Sequence, residues 1–206
     1  MKIFYLLIIL TSLSGCRTTL HEASQPPSIS IHKAAITGNI EALSQHLKAG
    51  TDPNLKPFSG GTTPLVMAKE EEVVKILLEN GADVNDVGYD GNAGNALHWH
   101  LSPNIISLLV KHGADVNAVN GDGNTPMHIA LREYLWRRTL KTVEILLALG
   151  ANVNAKNNNG HTPLDVYLDK GHLYIKSNKE LRNDILKLLL NNGAKSTLVE
   201  VKRDTK

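Results

Sequence analysis

The sequence predicts an all-α repeat solenoid, built from about five copies of one helix–turn–helix unit, and three observations predict it. The first is a recurring phrase. Glu72 to Asn85 (EVVKILLENGADVN), Asn104 to Asn117 (NIISLLVKHGADVN) and Lys141 to Asn154 (KTVEILLALGANVN) are near copies; a degenerate one, Glu41 to Asn54, precedes them and a truncated one, Asp184 to Lys195, follows. Apolar positions such as Val73, Val74, Ile76, Leu77 and Leu78 form a broad stripe at helical spacing. The second observation is the stop. Gly50, Gly81, Gly113, Gly150 and Gly193 end the copies at intervals of 31, 32, 37 and 43 residues, and glycine just past a helix takes positive φ without steric cost. The third is the start. Thr63-Pro64, Thr125-Pro126 and Thr162-Pro163 lie upstream of three copies, with Asn95-Ala96 in that place in another; threonine caps a helix N-terminus and proline suits its first position.

Self-similarity at this period marks a repeat architecture. Thr63-Pro64-Leu65-Val66-Met67-Ala68 and Thr125-Pro126-Met127-His128-Ile129-Ala130 match the opening motif of the ankyrin repeat, and Gly81-Ala82-Asp83-Val84-Asn85 matches its closing motif. The chain resembles an ankyrin-repeat protein from about Ile29 to Lys195. The resemblance implies outward β-turn fingers at 55–60, 86–90, 118–121 and 155–158, and a concave binding face formed by the fingers and the first helices.

The repeats follow in order. The first, Ile29 to Asn54, carries Ile31, Ala34, Ala35 and Ile36 on its first helix, turns at Gly38-Asn39 and runs its second helix over Glu41 to Lys48. Its polar positions (His32, Lys33, Ser44, Gln45, Lys48) suit a terminal cap with one wet face. The second, Gly61 to Asn85, has only 18 residues from Thr63 to Gly81, about three fewer than the family's regular unit. Glu70, Glu71 and Glu72 fill that short turn, where the dipole of the next helix favours acids. The third, Asp90 to Asn117, shares the short turn at Ser102-Pro103-Asn104 and follows a less regular loop holding Tyr89 and Gly91 to Gly94. The fourth, Gly121 to Asn154, has about four extra residues within Leu131 to Lys141, which either lengthen both helices or bulge from the turn. The fifth, Asn159 to Lys195, has about ten more, including Lys170 to Lys179. Ser196 to Lys206 reads as a charged, frayed tail.

The front end stands apart. Met1-Lys2 is a minimal positive region, and Ile3 to Leu10 is an apolar run of eight, too short to span a bilayer. Leu13-Ser14-Gly15-Cys16 follows, in a signal-peptide layout that resembles a bacterial lipobox. The resemblance implies cleavage before Cys16, lipidation of its sulfur and, with Arg17 rather than aspartate next, the outer membrane facing the periplasm. Cys16 is the single cysteine, so no internal disulfide framework exists. The expected organisation is a signal peptide at 1–15, a lipidated cysteine and tether at 16–28, the repeat domain at 29–195 and the tail at 196–206.

No catalytic constellation, phosphate-cradling loop or nucleophile elbow is present, so neither enzyme activity nor a cofactor nor a small-molecule substrate is expected. His98-Trp99-His100 invites a metal, but residues two apart on a helix point about 200° apart. His98 and His128 instead match the family motif's structural histidine, whose ring bonds between neighbouring turns. Trp99, in the place of Ile129, is expected in the core. Trp136 lies in the fourth insertion beside Tyr134, Arg137 and Arg138, and aromatic and arginine side chains concentrate at binding hot spots. These four, with Phe58 and Tyr89 on fingers, are the candidate partner-contact residues. A net charge of +2 argues against nucleic acid. The expected function is protein binding by an envelope lipoprotein attached to the membrane only through its lipid. By analogy with small exported ankyrin lipoproteins, it is expected to be an immunity protein neutralising a secreted toxin such as a lipase. The alternatives are an envelope scaffold or stress-related protein with an endogenous partner and, more remotely, a metal-binding protein.

Overall fold

The computed structural model describes residues 27–57, 61–88, 94–132, 136–174 and 179–200. Helices pair along the chain: α1 (Ile31–Thr37) with α2 (Ile40–Lys48), α3 (Pro64–Met67) with α4 (Glu71–Glu79), and α5 (Ala96–Trp99) with α6 (Pro103–Lys111). Then come α7 (Pro126–Arg132) with α8 (Trp136–Ala148), α9 (Pro163–Tyr174), α10 (Lys179–Asn191) and a last turn, α11 (Thr197–Glu200). The first helices of successive repeats stack as one layer and the second helices as another. This is the expected all-α solenoid.

One residue column holds the second layer. Leu77, Leu109, Leu146 and Leu189 each lie four residues before a repeat glycine and are fully buried. Such a side chain contributes roughly 2–3 kcal/mol by leaving water. In the first repeat the column holds His46, also buried. Its ring bonds the Ile29 carbonyl at 2.6 Å and the Thr51 hydroxyl at 3.2 Å, so the start of the array is tied by hydrogen bonds to the incoming chain. Each second helix then closes alike. The Ala82 N–H reaches back to the Leu77 carbonyl at 3.0 Å, and Ala114, Ala151 and Ala194 repeat the bond onto Leu109, Leu146 and Leu189. Gly81, at φ 87°, makes the reversal, a conformation that costs a side-chain-bearing residue about 1 kcal/mol or more.

An asparagine ladder links the repeats. Asn54, Asn85, Asn117 and Asn154 donate their Nδ2 to the carbonyls of Gly81, Gly113, Gly150 and Gly193 at 2.9–3.2 Å. Their Oδ1 atoms accept from the backbone N–H of Asp83, Asp115, Asn152 and Lys195. Each asparagine so satisfies one donor and one acceptor of the next repeat.

The insertions lengthen helices: α8 and α10 have thirteen residues each and α9 twelve, against nine in α4. The tail expectation is corrected at its start. Ser196 and Thr197 bond to Asp165, and 197–200 form a helical turn, because a buried carboxylate captures this segment. Residues 201–206 lie outside the described set.

Candidate functional site: an apolar notch at the short repeats

The shortened turns of repeats two and three shape the surface. Helices α3 and α5 have four residues each, between α1 and α7 with seven. The chain leaves the helix at Ala68 (φ −61°, ψ 138°) and at His100 (φ −98°, ψ 112°). With no further turn to fill the space, a notch of about 780 Å³ opens. Val66 and Ile105 are its buried floor, Met67 and Trp99 project into it, and Ile36 and Ile129 stand at its ends. Lys69 is the one charged group in its lining, the histidines there being buried.

Trp99 corrects the sequence reading. It is 54% exposed, whereas Ile129, in the same place one repeat on, is buried. The physical reason lies at the next residue. His100 takes the inward position that Ala68 and Ala130 hold in neighbouring repeats, and its Nε2–H donates to the Leu65 carbonyl at 3.0 Å. The helix ends there, and the Trp99 ring is left half exposed.

The histidines around the notch are structural. The Asn95 N–H donates to Nδ1 of His98 at 3.2 Å, leaving the proton on Nε2, which donates to the Asn124 carbonyl at 3.0 Å. The Asn95 side chain in turn accepts from the Leu97 N–H, so asparagine takes the place of threonine as the cap. His128 repeats the arrangement with the Thr125 N–H and the His161 carbonyl. Burial pushes His98, His100 and His128 below the ordinary histidine value, against carbonyl bonds that raise them. The rings are neutral and each serves a separate carbonyl. Among the described residues no three of His, Cys, Asp or Glu converge on a metal position.

In the fifth repeat the same place holds Asp165. Burial alone would raise its carboxyl. Bonds from the Ser196 and Thr197 hydroxyls and from Thr162 outweigh that and hold it well below the usual carboxylate range. In the second repeat the place holds Val66, and the buried Thr63 hydroxyl has no partner among the described residues.

The fingers offer a second apolar feature. Leu55, Val87 and Val119, on consecutive fingers, are 45%, 55% and 59% exposed. Lys56 bonds to Asp86 and to the Val87 carbonyl, joining the first two fingers. Asn157 donates to the Asn124 side chain at 2.9 Å and the Asn158 N–H donates to the Asp122 carbonyl at 3.0 Å, joining the last two.

Of the sequence-predicted residues, Cys16, Phe58, Tyr89 and Tyr134 lie outside the described residues. Trp136, Arg137 and Arg138 begin α8, but their side chains lie outside the described set as well. Sequence reasoning missed Trp99 and Ile36. The signal for Trp99 was the short interval from Asn95 to Gly113, which leaves no chain to cover a residue as large as tryptophan.

The comparisons agree with this architecture. The pattern described as ankyrin repeats (3 copies) matches residues 31–120 and 97–200. The DNA-binding protein RFXANK of Homo sapiens is similar, with 44% identity over 59 residues, 27% of this chain. The chain spans 23% of that relative's length. With the family pattern covering most of its length, from the first described helix to the last, the chain belongs to the ankyrin-repeat family.

Proposed function

We propose that this protein is a non-enzymatic, lipid-anchored binding module of the bacterial envelope, facing the periplasm, and that its partner is a secreted toxin which it neutralises. Ankyrin repeats are protein-interaction scaffolds, and that coarser reading is the base. The single observation that carries the binding site is the half-exposed Trp99 in an apolar notch. A large aromatic ring that the fold leaves half exposed is the kind of group that anchors an interface. The envelope location rests on Cys16 directly after the apolar run 3–10. The inhibitor role rests on the fit between task and structure. Blocking an active site needs a rigid frame and an irregular contact surface, and it needs no chemistry from the inhibitor. Nucleic acid, suggested by the relative's name, is a poor fit to a net charge of +2 and an apolar notch.

The test is a pull-down with the mature chain, tagged at its C-terminus, from envelope extract spiked with the products of neighbouring genes, alongside Trp99→Ala. Stoichiometric recovery of a secreted toxin by the wild type and not by the variant supports the reading. Recovery of an endogenous envelope protein replaces the inhibitor with a scaffold. Capture that ignores Trp99→Ala removes the notch from the site. Separately, Cys16→Ser should move the protein from the membrane to the soluble fraction, and an unchanged membrane fraction would reject the lipid anchor.

A further inference from the structure

We infer that the solenoid carries a built-in joint between repeats two and three, where the stack opens first, on the side of the first helices. Repeats one and two move as one body and repeats three to five as the other. The notch spans this joint, so the joint sets its width whatever partner the notch takes.

In a solenoid each repeat touches its neighbours alone, so the array parts where one interface is poorer than the rest. Three interfaces along the first helices carry a polar bond at the same place. His98 donates to the Asn124 carbonyl and His128 to the His161 carbonyl, in each case the residue just before the next cap. In repeat five the Thr162 hydroxyl donates to the Lys195 carbonyl. In repeat two the place holds Val66, which has no polar group to offer. The carbonyl it faces in register is that of Gly94, set as that of Asn124 is, each accepting one finger N–H. The buried Thr63 hydroxyl next to Val66 has no partner among the described residues.

Packing is thin at the same interface. The four-residue helices α3 and α5 are neighbours, and the space that a further turn of either would fill is the notch. The interface between repeats one and two is better covered. His32 there leaves its buried Nε2 without a full bond, but α1 has seven residues to lay against α3, and Lys56 bonds to Asp86 and to the Val87 carbonyl.

The second helices supply the pivot. Leu77 and Leu109 are fully buried between repeats two and three. Asn85 bonds to the Gly113 carbonyl and the Asp115 N–H, and Asn104 donates to Glu71. On the first-helix side His100 is a tie, its ring donating to the Leu65 carbonyl at 3.0 Å. A packed, bonded layer on one side and a valine and a notch on the other make a hinge.

The experiment is native-state hydrogen exchange of the full chain in mild detergent, read by mass spectrometry through a urea series below the unfolding transition. Peptides of α1 to α4 are expected to share one opening, and those of α6 to α10 a second, better protected one. Val66→His supplies the missing ring to Thr63 and Gly94. It should slow exchange in α3 and α4 by about tenfold, the worth of a hydrogen bond or two, and leave α8 unchanged. Should the larger ring not be accepted at 66, the mirror change carries the test: His128→Val should create a second joint and speed exchange in α9 and α10 by a similar factor. One common opening for all helices, a boundary at another repeat, or a folded Val66→His protein with unaltered exchange would each overturn the joint. None of these results bears on which protein the pull-down recovers, so the joint and the toxin reading fail separately.

Discussion

At the scale of single residues, one position per repeat decides how a first helix begins. His98 and His128 occupy it, and each satisfies a cap N–H on one side and a carbonyl of the next repeat on the other. Val66 occupies it in repeat two and does neither, leaving the buried Thr63 hydroxyl without a partner among the described residues. The two threonines should therefore respond in opposite ways to an isosteric change. Thr125→Val removes a hydroxyl bonded to His128 at 2.9 Å and should cost about 1–2 kcal/mol. Thr63→Val removes a buried group with nothing to bond and should be neutral or stabilising. Urea midpoints of the two variants check this, and equal losses would reject it. Truncating Trp99 to alanine should cost less than about 1 kcal/mol because the ring is half exposed, while Leu146→Ala, wholly buried, should cost about 2–5; the first belongs to binding and the second to folding.

At the scale of elements, the second helices were legible because their signal is redundant. An apolar stripe, a glycine stop and the Asp/Asn-Val-Asn that follows all agree, and each has a direct physical cause. First helices were less legible. Four-residue α3 and α5 carry too few positions for a stripe, so the side on which Trp99 falls depended on where the chain turned away, which spacing alone left open. The end of the array was also misread. Where His98 and His128 donate to a carbonyl, Asp165 can only accept, and among the groups it accepts from are the Thr197 and Leu198 N–H at the start of α11. The change from histidine to aspartate thus suits a chain that caps itself and starts no sixth repeat. Asp165→Asn keeps the shape and removes the charge. It should destabilise the protein by about 1–3 kcal/mol and speed hydrogen exchange at the amides of Thr197 and Leu198 before those of α6. Uniform exchange along the chain would show that α11 is not held by this carboxylate.

At the scale of the whole molecule, stability in a solenoid is the sum of its repeats and the interfaces between them, so groups that recur at those interfaces act together. Three buried histidines, His98, His100 and His128, are depressed by burial. In the unfolded chain a histidine titrates near about 6.5. Above that value both states are neutral and the inter-repeat bonds stand in full. As pH falls below it, the unfolded chain takes up protons that the folded one resists, and stability drops until the folded values are passed. The depressed Asp165 acts in the same direction but lower down: its contribution is whole above the unfolded value of about 3.9 and is lost as the carboxyl protonates in the fold. The denaturation midpoint should hence be level above about pH 7, decline between about 6.5 and 5, and fall again below about 4. Replacing His100 by leucine should make the first decline shallower, since its single bond to the Leu65 carbonyl is exchanged for an apolar side chain that takes no proton. A midpoint that stays level from pH 7 to 5 would mean that these rings are reached by water in the folded chain and do not lock the repeats together.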